Sequence, residues 1–212
     1  MSTMIDDSVT VRTGHDTDPL VLLLHGFGSN EQDLPGLSAH LPAGLATASV
    51  RAPLVLGPGS YAWVPIRVPG RPDPAIVAES TAALLAWFDA HVPADRTVVL
   101  LGFSQGGLMV SQLLRARPER FVAALVLSGF VLDGAQPGDE GLAERHVPVF
   151  FGHGDADPVI APDATARASA WLADHADTTE RTYPGLAHAI SAEELDDVRA
   201  FLRAHVPGLS AP

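Results

Sequence analysis

The sequence predicts an α/β protein in which a mostly parallel central sheet carries helices on both faces. Three observations predict it. Apolar runs such as VLLL, VVLL and ALVL lack polar alternation, as strands buried on both faces require. They alternate along the chain with longer segments of helical period, the order that builds βαβ units. Finally, 212 residues with 47% hydrophobic and 18% charged side chains supply a full core and are too apolar for a largely disordered chain. Residues 1–212 therefore read as one domain.

In chain order, strands are expected at 8–12, 20–24, 46–50, 97–101, 122–127, 147–151 and 179–183, the inner four forming the centre of the sheet. The first helix is expected at 32–40. A second covers 74–92, where Val77, Leu84, Leu85, Phe88 and Val92 fall near one stripe and Pro74 suits a first turn. Others follow at 105–115, 162–175 and 192–205. Between strand and helix, residues 52–74 hold six prolines and three glycines around Tyr61 and Trp63. That composition predicts an ordered surface loop without regular structure. Its two aromatics either pack locally or line a pocket.

Charge and composition remove whole classes of function. Thirteen basic residues, all of them Arg, against 25 acidic ones give a net charge of −12. Such a field repels phosphate backbones, so no nucleic-acid partner is expected. With no Cys, disulfides, thiolate metal sites, iron–sulfur clusters and a thiol nucleophile are all excluded. No cluster of His and carboxylates has ligand spacing suited to a catalytic ion, so neither metal nor cofactor is expected. The first twenty residues lack a basic and an apolar segment of signal-peptide type, and no apolar run approaches the roughly 20 residues that span a bilayer. A cytoplasmic protein without membrane insertion is expected.

The chemistry begins at GFSQGG, where Ser104 centres a G-x-S-x-G pattern between the strand at 97–101 and a helix-forming run. A nucleophile on so sharp a turn strains the backbone, and side chains two residues either side would collide, hence Gly102 and Gly106. An activated serine needs a general base, and the base an orienting carboxylate. Of nine histidines, His188 lies in the loop YPGLAH before the last helix, where it can overhang the strand ends. His25 and His153 read as structural; His15, His40, His91, His146, His175 and His205 fall at polar loops or helix ends. For the carboxylate, Asp157 follows the strand at 147–151 in a turn closed by Pro158, with Asp155 its competitor. The order Ser104, Asp157, His188 is the α/β-hydrolase order. Two N–H donors for an oxyanion are assigned to Phe27, in the HGFG turn after the strand at 20–24, and to Gln105, at a helix N-terminus.

Four motifs in order, LLLHGFGSNEQDL, LLGFSQGG, FGHGDADPVIAP and YPGLAHAISAEEL, resemble the phospholipase/carboxylesterase family, which includes bacterial carboxylesterases and acyl-protein thioesterases. The resemblance covers about residues 20–205. It implies an α/β-hydrolase fold, a Ser104, Asp157 and His188 triad, and hydrolysis of carboxylic esters or thioesters without cofactor or metal. Dienelactone hydrolases share the layout but carry Cys at the nucleophile, which Ser104 speaks against. Only 18 residues separate Gly129 and His146 inclusive, too few for a cap domain, so an open site is expected. Phe27, Tyr61, Trp63, Phe130 and Ile160 are the candidate substrate-binding residues, core packing being the alternative for the last two.

The function expected from all this is a serine carboxylesterase acting on short to medium acyl esters through an acyl-enzyme. An acyl thioesterase or lysophospholipase with the same triad is the alternative, and a catalytically silent binding protein of the same fold a second. The expected partner is a small-molecule acyl ester, with a homodimer left open.

Overall fold

Seven strands form one sheet in the order β1-β3-β2-β6-β7-β8-β9, and all neighbouring strands are parallel except β1, which runs antiparallel along β3. They are β1 (Val11–Thr13), β2 (Leu20–Leu24), β3 (Ala46–Val50), β6 (Val98–Phe103), β7 (Ala123–Leu127), β8 (Pro148–Gly154) and β9 (Asp177–Tyr183). The computed structural model describes residues 4–67 and 70–209. β4 (Leu54–Gly57) and β5 (Ser60–Ala62) make a separate hairpin. Five helices are α1 (Pro74–His91), α2 (Gln105–Ala116), α3 (Asp139–Arg145), α4 (Pro162–His175) and α5 (Ala192–His205).

The runs without polar alternation are buried along their whole length: every residue of β2, β3 and β7 is buried. Alternate residues of one strand feed two cores. Leu20, Leu22 and Leu24 pack with α1, α2 and α4, whereas Val21 and Leu23 pack with Val198, Phe201 and Leu202 of α5. Helices therefore cover both faces, and the sheet is a buried middle layer.

Four expectations need correction. The first strand was expected at 8–12, but residues 7–9 make a 3-10 turn capped by the Asp6 side chain, and pairing begins only at Val11. The segment expected as a helix at 32–40 is a 3-10 helix over Leu34–His40, because Pro35 and Gly36 weaken α-helical bonding in a short segment. The proline-rich stretch is not wholly irregular: Leu54–Gly57 and Ser60–Ala62 pair across a tight turn with Gly59 at φ 69°. Prolines at 53, 58 and 65 flank those strands rather than interrupt them. Lastly, α3 stands between β7 and β8 where no element was expected; with seven residues it is too short for periodicity to reveal.

The topology fixes where a site can lie. From β2 the chain steps outward to β3 on one side, and from β6 it steps outward to β7 on the other. At such a switch point the loops beyond the carboxyl ends diverge and leave a crevice. Here those loops are the one carrying Gly26 and Phe27 and the turn carrying Ser104.

Candidate active site

Ser104 sits between the end of β6 and the first residue of α2 with φ 54° and ψ −115°, a strained conformation for a residue with a side chain. Local sequence allows it. A Cβ at Gly102 would collide with the backbone of Gly106 and Gly107, and one at Gly106 with the Leu24 carbonyl of β2. The turn is tied down from below, since the Ser104 N–H donates to the Leu127 carbonyl at 2.9 Å.

Ser104 and His188 line one cleft of about 440 Å3, with Phe27, Gln105, Phe130 and Ile160 around them. His188 is held from two sides. Its ring lies 4.8 Å from that of Phe103, and its Nδ1 is 2.7 Å from Asp157 Oδ2. The other oxygen of Asp157 accepts the N–H groups of Val159 and Ile160 at 2.8 and 3.0 Å. Burial pushes the Asp157 carboxyl up, but the His188 contact and the two backbone donors outweigh it and hold the group below the usual carboxylate range. Asp155 faces elsewhere: its Oδ1 accepts the Gly185 N–H at 2.6 Å.

The Phe27 and Gln105 N–H groups donate to no acceptor among the described residues. The loop of Phe27 comes close to the elbow, a Cβ built on Gly26 falling 3.5 Å from that of Ser104. Gln105 contributes at its side chain too. Its Oε1 accepts the N–H groups of Trp63 and Val64 at 2.7 and 3.2 Å, and its Nε2 donates to the Val64 carbonyl at 2.8 Å. The proline-rich loop is thus stitched to the start of α2.

Two candidate lining residues do not reach the cleft. Trp63 is 1% exposed, and its indole N–H donates to the His25 carbonyl at 2.9 Å, so it serves as a strut under the loop. Tyr61 lies under the Arg51 guanidinium, 4.5 Å from its ring, and bridges to Ser29 through its backbone. What lines the cleft from this stretch is Val64, Pro65, Ile66 and Pro72, and from the Asp157 loop Val159. The sequence signal was the proline density of this stretch, and the rings of Pro65 and Pro72 stand in the apolar wall. Phe103 was missed because it continues an apolar strand.

His25 is fully buried, its Nε2 accepting the Ala52 N–H at 3.1 Å and its Nδ1 facing the Gly26 carbonyl at 2.8 Å. That pairing requires the proton on Nδ1, and burial holds the imidazole below its usual range and uncharged. His153 pairs with Glu180 at 3.1 Å. Among the described residues no group of three or more His, Cys, Asp or Glu could hold a metal ion, and no helix is long and apolar enough to cross a membrane.

The fold and this crevice define an α/β hydrolase, and residues 75–206 match the family model described as phospholipase/carboxylesterase. The chain belongs to that family, whose members include carboxylesterases and thioesterases. It is 37% identical over 127 residues to acyl-protein thioesterase 1 of Gibberella zeae, a match spanning 56% of this chain and only 52% of that protein. Acyl-protein thioesterase 1 of Kluyveromyces lactis is 27% identical, over 86% of this chain and 90% of its own. In structure the chain is similar to a Bacillus cereus carboxylesterase, with a TM-score of 0.80 and 22% identity over 95% of this chain and 94% of the other.

Proposed function

We propose that the protein is a serine hydrolase that cleaves carboxylic esters of short to medium acyl chains through an acyl-enzyme. The observation that carries this reading is the 2.7 Å contact between His188 Nδ1 and Asp157, on an imidazole that shares an apolar cleft with a strained serine. With Nδ1 engaged by a carboxylate, Nε2 is left as the basic nitrogen. It takes the proton of Ser104 as the hydroxyl attacks the acyl carbon, and returns it to the departing alcohol. The Phe27 and Gln105 N–H groups meet the negative charge that develops on the carbonyl oxygen, the latter helped by the positive end of α2. Water activated by His188 then releases the acid. No step calls on a cofactor.

The apolar walls from Phe27, Ile66, Phe130 and Ile160 suit an acyl chain. A thioester meets the same machinery, and the names of the fungal relatives favour testing it. A panel of p-nitrophenyl esters and acyl-CoA thioesters decides between them by kcat/KM. In the same panel, a fluorophosphonate should label the wild-type protein and abolish turnover, and Ser104→Ala should neither label nor turn over. Labelling of both proteins alike overturns the assignment.

A further inference from the structure

Two buried polar side chains close to the carboxyl ends of β7 and β8, Glu194 and Ser128, take no part in the mechanism above. Glu194 is completely buried, and neither of its carboxyl oxygens has a hydrogen-bond partner among the described residues. Ser128, just past β7 with φ 46°, is buried with its hydroxyl likewise unpartnered. The location of Glu194 is unusual for its sequence. Ser191 to Glu194 reads S-A-E-E, a capping box at the start of α5. Half of the box forms, the Glu194 N–H donating to Ser191 Oγ at 3.0 Å. The carboxyl turns inward instead, onto Gly152 of β8, where a Cβ would collide with Oε1.

What rests on Gly152 matters to the site. Its carbonyl accepts the Ser128 N–H at 2.7 Å, and five residues further on the same chain is Asp157. The loop that carries Asp157 is joined to the one that carries His188: Asp155 N–H to Tyr183 carbonyl at 3.3 Å, Ala156 N–H to Leu186 carbonyl at 3.1 Å, and the Asp155 carboxylate to Gly185 N–H. The second loop runs directly into α5. We propose that Glu194 is a positioning residue for the Asp157–His188 pair, its buried carboxyl group wedging the end of β8 against the start of α5. This rests on the hydrolase reading of that pair.

An ionised carboxylate without partners in such a place is costly. Burial pushes the Glu194 carboxyl up to about 7; the Ser191 backbone N–H, short of hydrogen-bond geometry, opposes this, and Asp197 one turn along α5 reinforces it. The other titratable groups on that side are Tyr183 of β9, which donates to Asp197 at 2.9 Å, and Arg181, 4.0 Å from the same carboxylate. β7 and β8 present Ser128 and Gly152, His153 being turned to Glu180, and the 3-10 helix presents His40, which is exposed. Because the folded-state value lies above the ordinary 4.5, stability from this group is full below about pH 4.5 and is lost as pH rises through 7. The wedge fails on the alkaline side.

The test compares wild type, Glu194→Gln and Glu194→Ala from pH 6 to 9. Gln copies the shape of the neutral acid and cannot ionise. At pH 6 its kcat should lie within about twofold of wild type, and by pH 9 it should exceed wild type about fivefold, KM staying within about twofold. Glu194→Ala should lose about tenfold in kcat at pH 6 with little change in KM. Thermal midpoints of Ser104→Ala with and without Glu194→Gln supply a readout free of turnover: the advantage of Gln should grow between pH 5 and 7.5. A kcat ratio of Gln to wild type that is flat with pH, or a folded Ala variant with wild-type kcat, overturns the positioning role while Ser104→Ala remains inactive. Turnover that survives Ser104→Ala overturns both readings.

Discussion

Asp155 and Asp157 stand two residues apart after the same strand, yet their carboxylates answer to different partners, Gly185 N–H for the first and His188 for the second. Asp157→Asn should therefore cost on the order of 10⁴ in kcat, since an amide cannot hold the imidazole in the useful tautomer. The fold should survive, because the amide oxygen still accepts from Val159 and Ile160. Asp155→Asn keeps an acceptor for Gly185 and should change kcat by less than about fivefold. Kinetics with thermal midpoints for both variants check this, and a larger loss in Asp155→Asn reverses the roles. His25 makes the complementary case. Removing its ring leaves the Ala52 N–H and Gly26 carbonyl unpaired in the interior, so His25→Ala should lose about 3 kcal/mol in urea unfolding. Its stabilising contribution, like that of any buried neutral imidazole, falls as pH drops below the ordinary 6.5. Backbone geometry set by local sequence, such as the strained turn at Ser104 between its glycines, was legible. Tyr61 and Trp63 were not, because an aromatic in a loop packs inward or outward according to neighbours that are remote in sequence; here they are Arg51, His25 and Gln105.

Elements were legible in proportion to their length and burial. β2, β3, α4 and α5 lie at the bounds expected from the sequence, whereas the β4–β5 hairpin and α3 were hidden, the one by proline content and the other by its seven residues. The hairpin leads into Trp63 and Val64, so the element the sequence concealed is also the one that brings a wall to the cleft. Its attachment is the Gln105 amide, which satisfies two N–H groups and one carbonyl of the loop. Gln105→Ala leaves the backbone N–H of residue 105 in place and removes that attachment. Stability should fall by about 2 to 4 kcal/mol, as buried backbone groups lose their partners. KM should rise severalfold, because Val64, Pro65 and Ile66 are no longer fixed opposite Ser104. Denaturant unfolding and Michaelis constants on one short-chain ester check both. An unchanged KM in a destabilised variant means that the wall is held by other contacts.

At the scale of the whole molecule, the arrangement of layers decides how substrate reaches the serine. Of the 18 residues from Gly129 to His146, where a cap would have to grow, seven form α3, and α3 is fastened down. Arg115 of α2, itself buried, donates to Asp139 of α3 at 2.6 Å and stacks over Trp171 of α4 at 4.2 Å. Leu142 of α3 is fully buried in the core on that face. A segment so committed to the core cannot swing over the cleft. The remaining neighbour is the proline-rich wall, whose described part is braced by Gln105 rather than hinged. Among the described residues the mouth is rimmed by Phe27, Ile66 and Val159, each well exposed. Enzymes whose sites are closed in water gain activity when an interface opens a lid. A site already open has nothing to gain. Initial rates on a sparingly soluble ester should therefore follow one hyperbola through the solubility limit, then plateau as the dissolved concentration stops rising. A sharp rise in rate at the point where emulsion droplets appear, measured at constant pH by titration of the released acid, contradicts this and requires the wall formed by Val64, Pro65, Ile66 and Pro72 to move.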